Sequence, residues 1–280
     1  MEVRRRALPP GWYPASGAEC RREIEGFLSA AAPKKPEGLA RVRGAIVPHA
    51  GWFYSGRLAA WAFAAAAPEK PEVVILFGGH LGQDPPRLLL EDAWETPLGE
   101  VALARELAEE LARRLPSKRE PPGADNTIEI HLPMLKFFFP QAKLLLVRAP
   151  HLESAIGLGK EAARLCQERS LNCVAFGSTD LTHYGPDYGF MPVGGGPEAT
   201  EWVRRVNDAR FIEAALALNG AALLRLGPGE GSACSAGAAA AAVSGAKFLG
   251  AERGHLLGSY LSADVMAYAE SFVGYAAIAF

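Results

Sequence analysis

The chain has 280 residues, 49% of them hydrophobic and 21% charged, with a formal net charge of −2. That is enough apolar material for a continuous core, in one large α/β domain or two small ones. With no basic excess and no long like-charge block, composition argues against a nucleic-acid footprint and a charged interaction tail.

At the N-terminus, MEVRRRALPPGWYP carries three arginines, but no apolar segment follows them, so no secretory signal is expected. SGAECRREIEGFLSAAA (16–32) predicts a helix opened by a capping box of Ser16 and Glu19. GAIVP (44–48), EVVILFG (72–78), AKLLLVR (142–148) and NCVAFGS (172–178) are continuous apolar runs, the pattern of strands covered on both faces. Between them, SGRLAAWAFAAAA (55–67), EVALARELAEELARRL (100–115) and ESAIGLGKEAARLCQE (153–168) have helical character. The fold class expected from this alternation is α/β, a layered fold with a mostly parallel central sheet flanked by helices. The tail from 254 to 280 changes character and predicts two or three strands with turns, closing the sheet or forming an antiparallel edge. PVGGGPEAT (192–200) is a loop candidate rather than a domain boundary, so one domain over 1–280 is expected. The longest apolar runs, such as LAAWAFAAAAP (58–68), are too short to cross a bilayer. The expectation is a soluble, cytoplasmic protein with no membrane partner.

Polar residues cluster at the ends of the predicted strands. Pro48-His49-Ala50-Gly51 follows the first, Gly-Gly-His80 ends the second, and Ser-Thr-Asp180-Leu-Thr-His183 follows the fourth. In open α/β sheets ligands bind beyond the carboxyl ends of the strands, and the adjoining glycines permit tight turns there. A single histidine after a strand is ordinarily a loop residue, but the repeated position of His49, His80 and His183 points to a shared site. Cys234, in GPGEGSACSAGAAAAAVSGA (227–246), is expected in the first turn of an Ala-rich helix, where the helix dipole favours a thiolate. The bland alternative is a small buried hydrophobe, which is the expectation for Cys20, Cys166 and Cys173. No C-x-x-C pair occurs, so neither a zinc finger nor a disulfide framework is expected. Two imidazoles and a thiolate suit Zn(II), Fe(II) or Cu rather than Mg or Ca. Asp180 and His183, three residues apart, are candidates for completing a metal shell, orienting a ligand, or acting as an acid–base pair.

These motifs resemble the Memo family, whose prokaryotic members include the AmmeMemoRadiSam system protein B. PHAGWFYSG (48–56) is the most specific of them; GWYP (11–14), FGGHLG (77–82), WETPLGEV (94–101), EIHLPML (129–135) and STDLTHYG (178–185) add to it along nearly the whole chain. The resemblance implies a fold shared with class III extradiol dioxygenases of the LigB type, which hold non-haem iron with two histidines and a glutamate. In the Memo family a cysteine takes the carboxylate position. The metal set implied here is His49, His80 and Cys234, with Asp180 and His183 as catalytic residues in the same pocket. Trp12, Tyr54, Asn126 and Glu129 are the implied substrate-binding residues. The family's histidine in its Glu-His-Ser-x-Glu element is Asn126 in this chain, with Glu129 retained, and its Cys-Gly is Cys234-Ser235.

Three functions follow as expectations. The first is a divergent non-haem iron or copper enzyme with redox or dioxygenase-like chemistry. The second is a non-catalytic module binding a peptide or small ligand. The third is a zinc hydrolase with Asp180 or Glu129 as base. The resemblance also implies a radical-SAM protein and an AMMECR-like protein as pathway partners.

Overall fold

A computed structural model describes residues 1–29, 38–266 and 270–280. In chain order its main elements are α1 (Gly17–Ser29), β1 (Gly44–Val47), α2 (Trp52–Ala66), β2 (Val73–Gly78), α3 (Arg105–Arg114), α4 (Asn126–Glu129), α5 (Leu132–Phe138), β3 (Lys143–Arg148), α6 (Ser154–Glu168), β4 (Cys173–Ser178), β5 (His183–Tyr184), α7 (Ala236–Phe248), β6 (His255–Leu261) and β7 (Phe272–Ala279). The four predicted strands form within a residue of their expected limits. Half of the expected capping box forms: Ser16 Oγ accepts from the Glu19 N–H at 3.3 Å, while the Glu19 carboxylate takes the Ser16 hydroxyl at 2.8 Å in place of the backbone N–H. The last part of that predicted helix, 30–32, lies outside the described residues.

The central strands run parallel in the order β1-β4-β2-β3. β7 adds antiparallel to β1, and β5 and β6 both pair with β7. The tail therefore supplies the antiparallel side of the sheet, with a short helix, Ser262–Val265, between its two long strands. Residues 100–115 are not helical throughout. Val101–Ala102 pairs with Ala93–Trp94 in a small separate sheet, and α3 begins only at Arg105.

Side-chain alternation along buried strands divides the core into two faces. Val74, Leu76, Val174 and Phe176 point into a cluster with α1, α2 and α5. Ile75, Phe77, Leu145 and Ala175 point the other way, against α3, α6 and α7. Helix α7 reads AGAAAAAVSGAKF, and its first ten residues are buried except Ser244. Its small side chains let it lie almost on the sheet backbone: a Cβ on Gly177 would come 2.6 Å from the Ala238 carbonyl. Close packing of α7 against β4 brings the residues just before the helix to the carboxyl edge of the sheet, where β1, β2 and β4 also end. Among the described residues, no helix is long and apolar enough to cross a membrane.

Candidate metal centre

Three strand ends and the entrance of α7 meet at one point. His49 follows β1, separated from it by Pro48, and is buried. His80 follows β2 and is exposed, with φ of +60°. This left-handed conformation is costly for a residue with a Cβ and tends to persist where the surroundings enforce it. At the preceding position, a Cβ on Gly79 would overlap the Ser235 hydroxyl. Only glycine lets the β2 turn approach the Cys234 segment this closely.

Cys234 is half-buried, and its sulfur lies 3.3 Å from His49 Nε2. The His49 and His80 rings meet edge-on at 5.0 Å between centroids. One ligand atom from each of His49, His80 and Cys234 can be chosen such that all three lie within 4.8 Å of one another. Atoms bound at 2.0–2.3 Å to a shared tetrahedral metal would be about 3.5 Å apart, so the cluster needs only a slight contraction. The donor chemistry fits a borderline or soft transition metal.

The cysteine differs in one respect from the sequence expectation. Helix α7 starts at Ala236 with Ser235 as its N-cap, so Cys234 precedes the helix rather than standing in its first turn. Side-chain and backbone bonds hold it instead. The Cys234 N–H donates to the Asp180 carbonyl at 3.3 Å, and the Ser235 N–H donates to Thr179 Oγ1 at 3.0 Å. His151 Nε2 donates to the Cys234 carbonyl at 3.0 Å, and burial holds the His151 ring below the ordinary imidazole value.

Asp180 is expected to accept from His183 or His80, or to reach the metal itself; no bond to either ring is present among the described residues. It accepts instead from the backbone: its Oδ1 takes the His49 N–H at 2.7 Å and the Ala50 N–H at 3.3 Å. Its other oxygen lies 4.0 Å from His49 Nε2. The carboxylate thus clamps the loop that carries His49 and leaves one oxygen beside the cluster. His183, in β5, donates Nδ1–H to the Leu181 carbonyl at 3.1 Å, since a carbonyl can only accept. Its Nε2 has no hydrogen-bond partner among the described residues.

His49, His80, Asp180 and His183 line a groove of about 590 Å³, together with Trp12, Tyr54, Asn126, Tyr188 and Tyr275; Cys234 is not among its lining residues. Asn126 reaches the His49 carbonyl at 3.5 Å. Glu129 departs from its expected substrate-binding role and does not line the groove. It is fully buried, and its carboxylate accepts from the Ala7 N–H at 3.0 Å, the Leu8 N–H at 2.9 Å and the Tyr13 hydroxyl at 2.9 Å. It pins the N-terminal arm, which carries Trp12 to the groove.

Sequence reasoning missed Ser178 and gave His131 no role. Ser178 Oγ is 2.9 Å from His49 Nδ1 and 2.9 Å from His131 Nε2. Cys20, Cys166 and Cys173 are buried free thiols in the core, as expected.

A family model described as Memo-like protein matches residues 4–279. A MEMO1 family protein from Pyrobaculum arsenaticum is 29% identical, covering 100% of this chain and 99% of its own length. A MEMO1 family protein from Methanopyrus kandleri is 30% identical, with 98% and 97% covered. Among solved structures, an uncharacterized protein from Escherichia coli K12 superposes with a TM-score of 0.54 at 12% identity, over 86% of this chain and all of that one. At that identity the likeness concerns the fold.

Proposed function

The chain belongs to the Memo family, and on that premise we propose that His49, His80 and Cys234 hold a redox-active iron or copper ion serving chemistry on a small ligand in the groove. The observation that carries this reading is the convergence of three ligand atoms within 4.8 Å, from residues far apart in the chain. A bound ion of this kind supplies electron transfer and Lewis acidity. The remaining work falls to the protein. Asp180 holds the His49 loop in place. With Nδ1 donating to the Leu181 carbonyl, His183 Nε2 is the proton acceptor. Trp12, Tyr54, Tyr188 and Tyr275 offer aromatic surface to the ligand. Asp180 is the sole acidic side chain among the described lining residues, which include no lysine or arginine. That balance favours a neutral aromatic ligand over a free anion such as a phosphopeptide.

A second reading, a binding module without catalysis, draws support from the groove's apolar rim. Phe53, Tyr188 and Met266 line the groove and are 62%, 47% and 48% exposed. The zinc-hydrolase reading is weaker, because Glu129 is engaged by the N-terminal arm and half of the Asp180 carboxylate by backbone. The pathway partners, a radical-SAM protein and an AMMECR-like protein, belong to the same proposal and are testable by co-purification.

Metal analysis of protein purified without a histidine tag separates the three readings. The proposal expects iron or copper at about one ion per chain, lost in Cys234→Ala. Zinc in its place favours hydrolysis, and absence of bound metal favours the binding module. Because a thiolate replaces the dioxygenase carboxylate and is itself oxidisable, Fe(II)-loaded protein is expected to open catechol rings slowly or not at all. Turnover at about 1 s⁻¹ or faster would instead support ordinary ring cleavage.

A further inference from the structure

Behind the three candidate ligands lies a polar pair that the proposed chemistry does not use. Ser178 is the last residue of β4 and fully buried; His131 is 1% exposed, with its ring edge-on to Phe63 at 5.6 Å. Neither residue lines the groove, so neither is placed to touch a ligand there. Among the described residues their side-chain hydrogen bonds reach the cluster through His49: His49 Nδ1 to Ser178 Oγ at 2.9 Å, then Ser178 Oγ to His131 Nε2 at 2.9 Å.

We propose that Ser178 and His131 are positioning residues that hold His49 in the tautomer with a free Nε2 lone pair and so set the affinity of the cluster for its metal. The inference rests on the metal reading above. Its argument is a proton count. His49 Nε2 is the nitrogen facing the Cys234 sulfur, so it is the atom offered to a metal. Ligation there requires the ring proton on Nδ1, which makes Ser178 Oγ the acceptor. A hydroxyl has a single proton to give, and His131 Nε2 is its other partner. A hydroxyl can accept twice, but no third partner for the Ser178 proton is present among the described residues, so that proton is used only when His131 presents a lone pair at Nε2, which a protonated ring cannot do. Burial holds His131 well below the ordinary imidazole value, so it stays neutral. Without this chain the His49 proton is free to sit on Nε2, where it would bond to the Cys234 sulfur and occupy the ligand position. Hydrogen-bonded neighbours of ligating histidines typically change metal affinity by about 10–100-fold.

Co(II) alone, titrated into the metal-stripped full-length protein, tests this through the sulfur-to-cobalt charge-transfer absorption, with metal-free thermal unfolding measured in parallel. Ser178→Ala and His131→Phe should each weaken Co(II) binding by about 10–100-fold. His131→Phe keeps an aromatic ring against Phe63 but has no acceptor. His131→Gln lacks the ring but carries an amide oxygen that reaches the Nε2 position, and should recover most of the affinity. A merely structural role gives the opposite ranking, with Phe tolerated and Gln not, and overturns the inference. Failure of the wild-type protein to develop the sulfur band defeats the metal reading and the relay with it. A wild-type band with Ser178→Ala binding within about twofold of wild type overturns the relay alone. If the His131 variants do not fold, Ser178→Ala decides.

Discussion

Replacing Glu129 by Gln should loosen the N-terminal arm while leaving the sheet intact. The carboxylate accepts from three donors, the Ala7 and Leu8 N–H groups and the Tyr13 hydroxyl. Burial, then the Glu129 charge, push the Tyr13 phenol up, so it remains a donor. Bonds to an ionised acceptor contribute about 1.5–3 kcal/mol each, against about 1 kcal/mol for neutral pairs. The amide also turns an NH₂ toward the Ala7 N–H. Removing a buried charge recovers part of that loss, which leaves a net cost of roughly 2 kcal/mol for docking the arm. The open population should rise about 30-fold. Amide hydrogen exchange reads this locally: Ala7 and Leu8 should exchange about 30-fold faster, with Ile75 and Val174 in the central strands unchanged. Binding of a groove ligand should weaken because Trp12 travels with the arm, whereas Co(II) affinity should hold. Unchanged exchange at Ala7 and Leu8 would refute the reasoning. So would uniform acceleration through the strands, which would make Glu129 a support of the core.

Asp180→Asn keeps an acceptor for the His49 and Ala50 N–H groups but removes the negative charge beside the cluster; metal retention should fall several-fold while the melting temperature moves by only a few degrees. Unfolding with metal affinity intact would make Asp180 a structural residue. Asp208 is almost wholly buried, and burial raises its carboxyl from the usual 3.8 to about 7 against the opposing effect of Thr182 hydrogen bonds. A raised folded-state value favours the protonated form, so its contribution to stability is full below pH 4 and is lost as pH rises to about 7. The loss is of order 4 kcal/mol. Denaturant unfolding from pH 4 to 8 should show this fall in wild type relative to Asp208→Asn; parallel curves would contradict it.

The parallel strands were legible in the sequence because burial on both faces leaves a continuous apolar run, and the ends of those runs located His49, His80 and Asp180. Cys234 was legible as a partner through motif resemblance rather than spacing, since 185 positions separate it from His49. Helix α7 is expected from sequence to begin near Ser232 or Ala233 and begins at Ala236, three or four residues later, because an Ala-rich stretch does not mark where a helix begins; the cap is set by the Thr179 and Asp180 contacts. Glu129 was implied as a ligand-binding group by the motif resemblance, in the same element as Asn126. A single helical turn separates the two side chains, one toward the groove and the other toward the arm. The Ser178–His131 pair had no sequence signal: a serine closing an apolar strand is ordinary, and 47 residues separate it from the histidine it meets.

X-ray absorption at the metal edge of Zn(II)-loaded protein tests the shared site most directly. The account predicts one sulfur at about 2.3 Å and two imidazole nitrogens at about 2.0–2.1 Å, with the sulfur lost in Cys234→Ala and one nitrogen lost in each of His49→Ala and His80→Ala. A first shell of oxygens without sulfur, or a sulfur that survives Cys234→Ala, would contradict it.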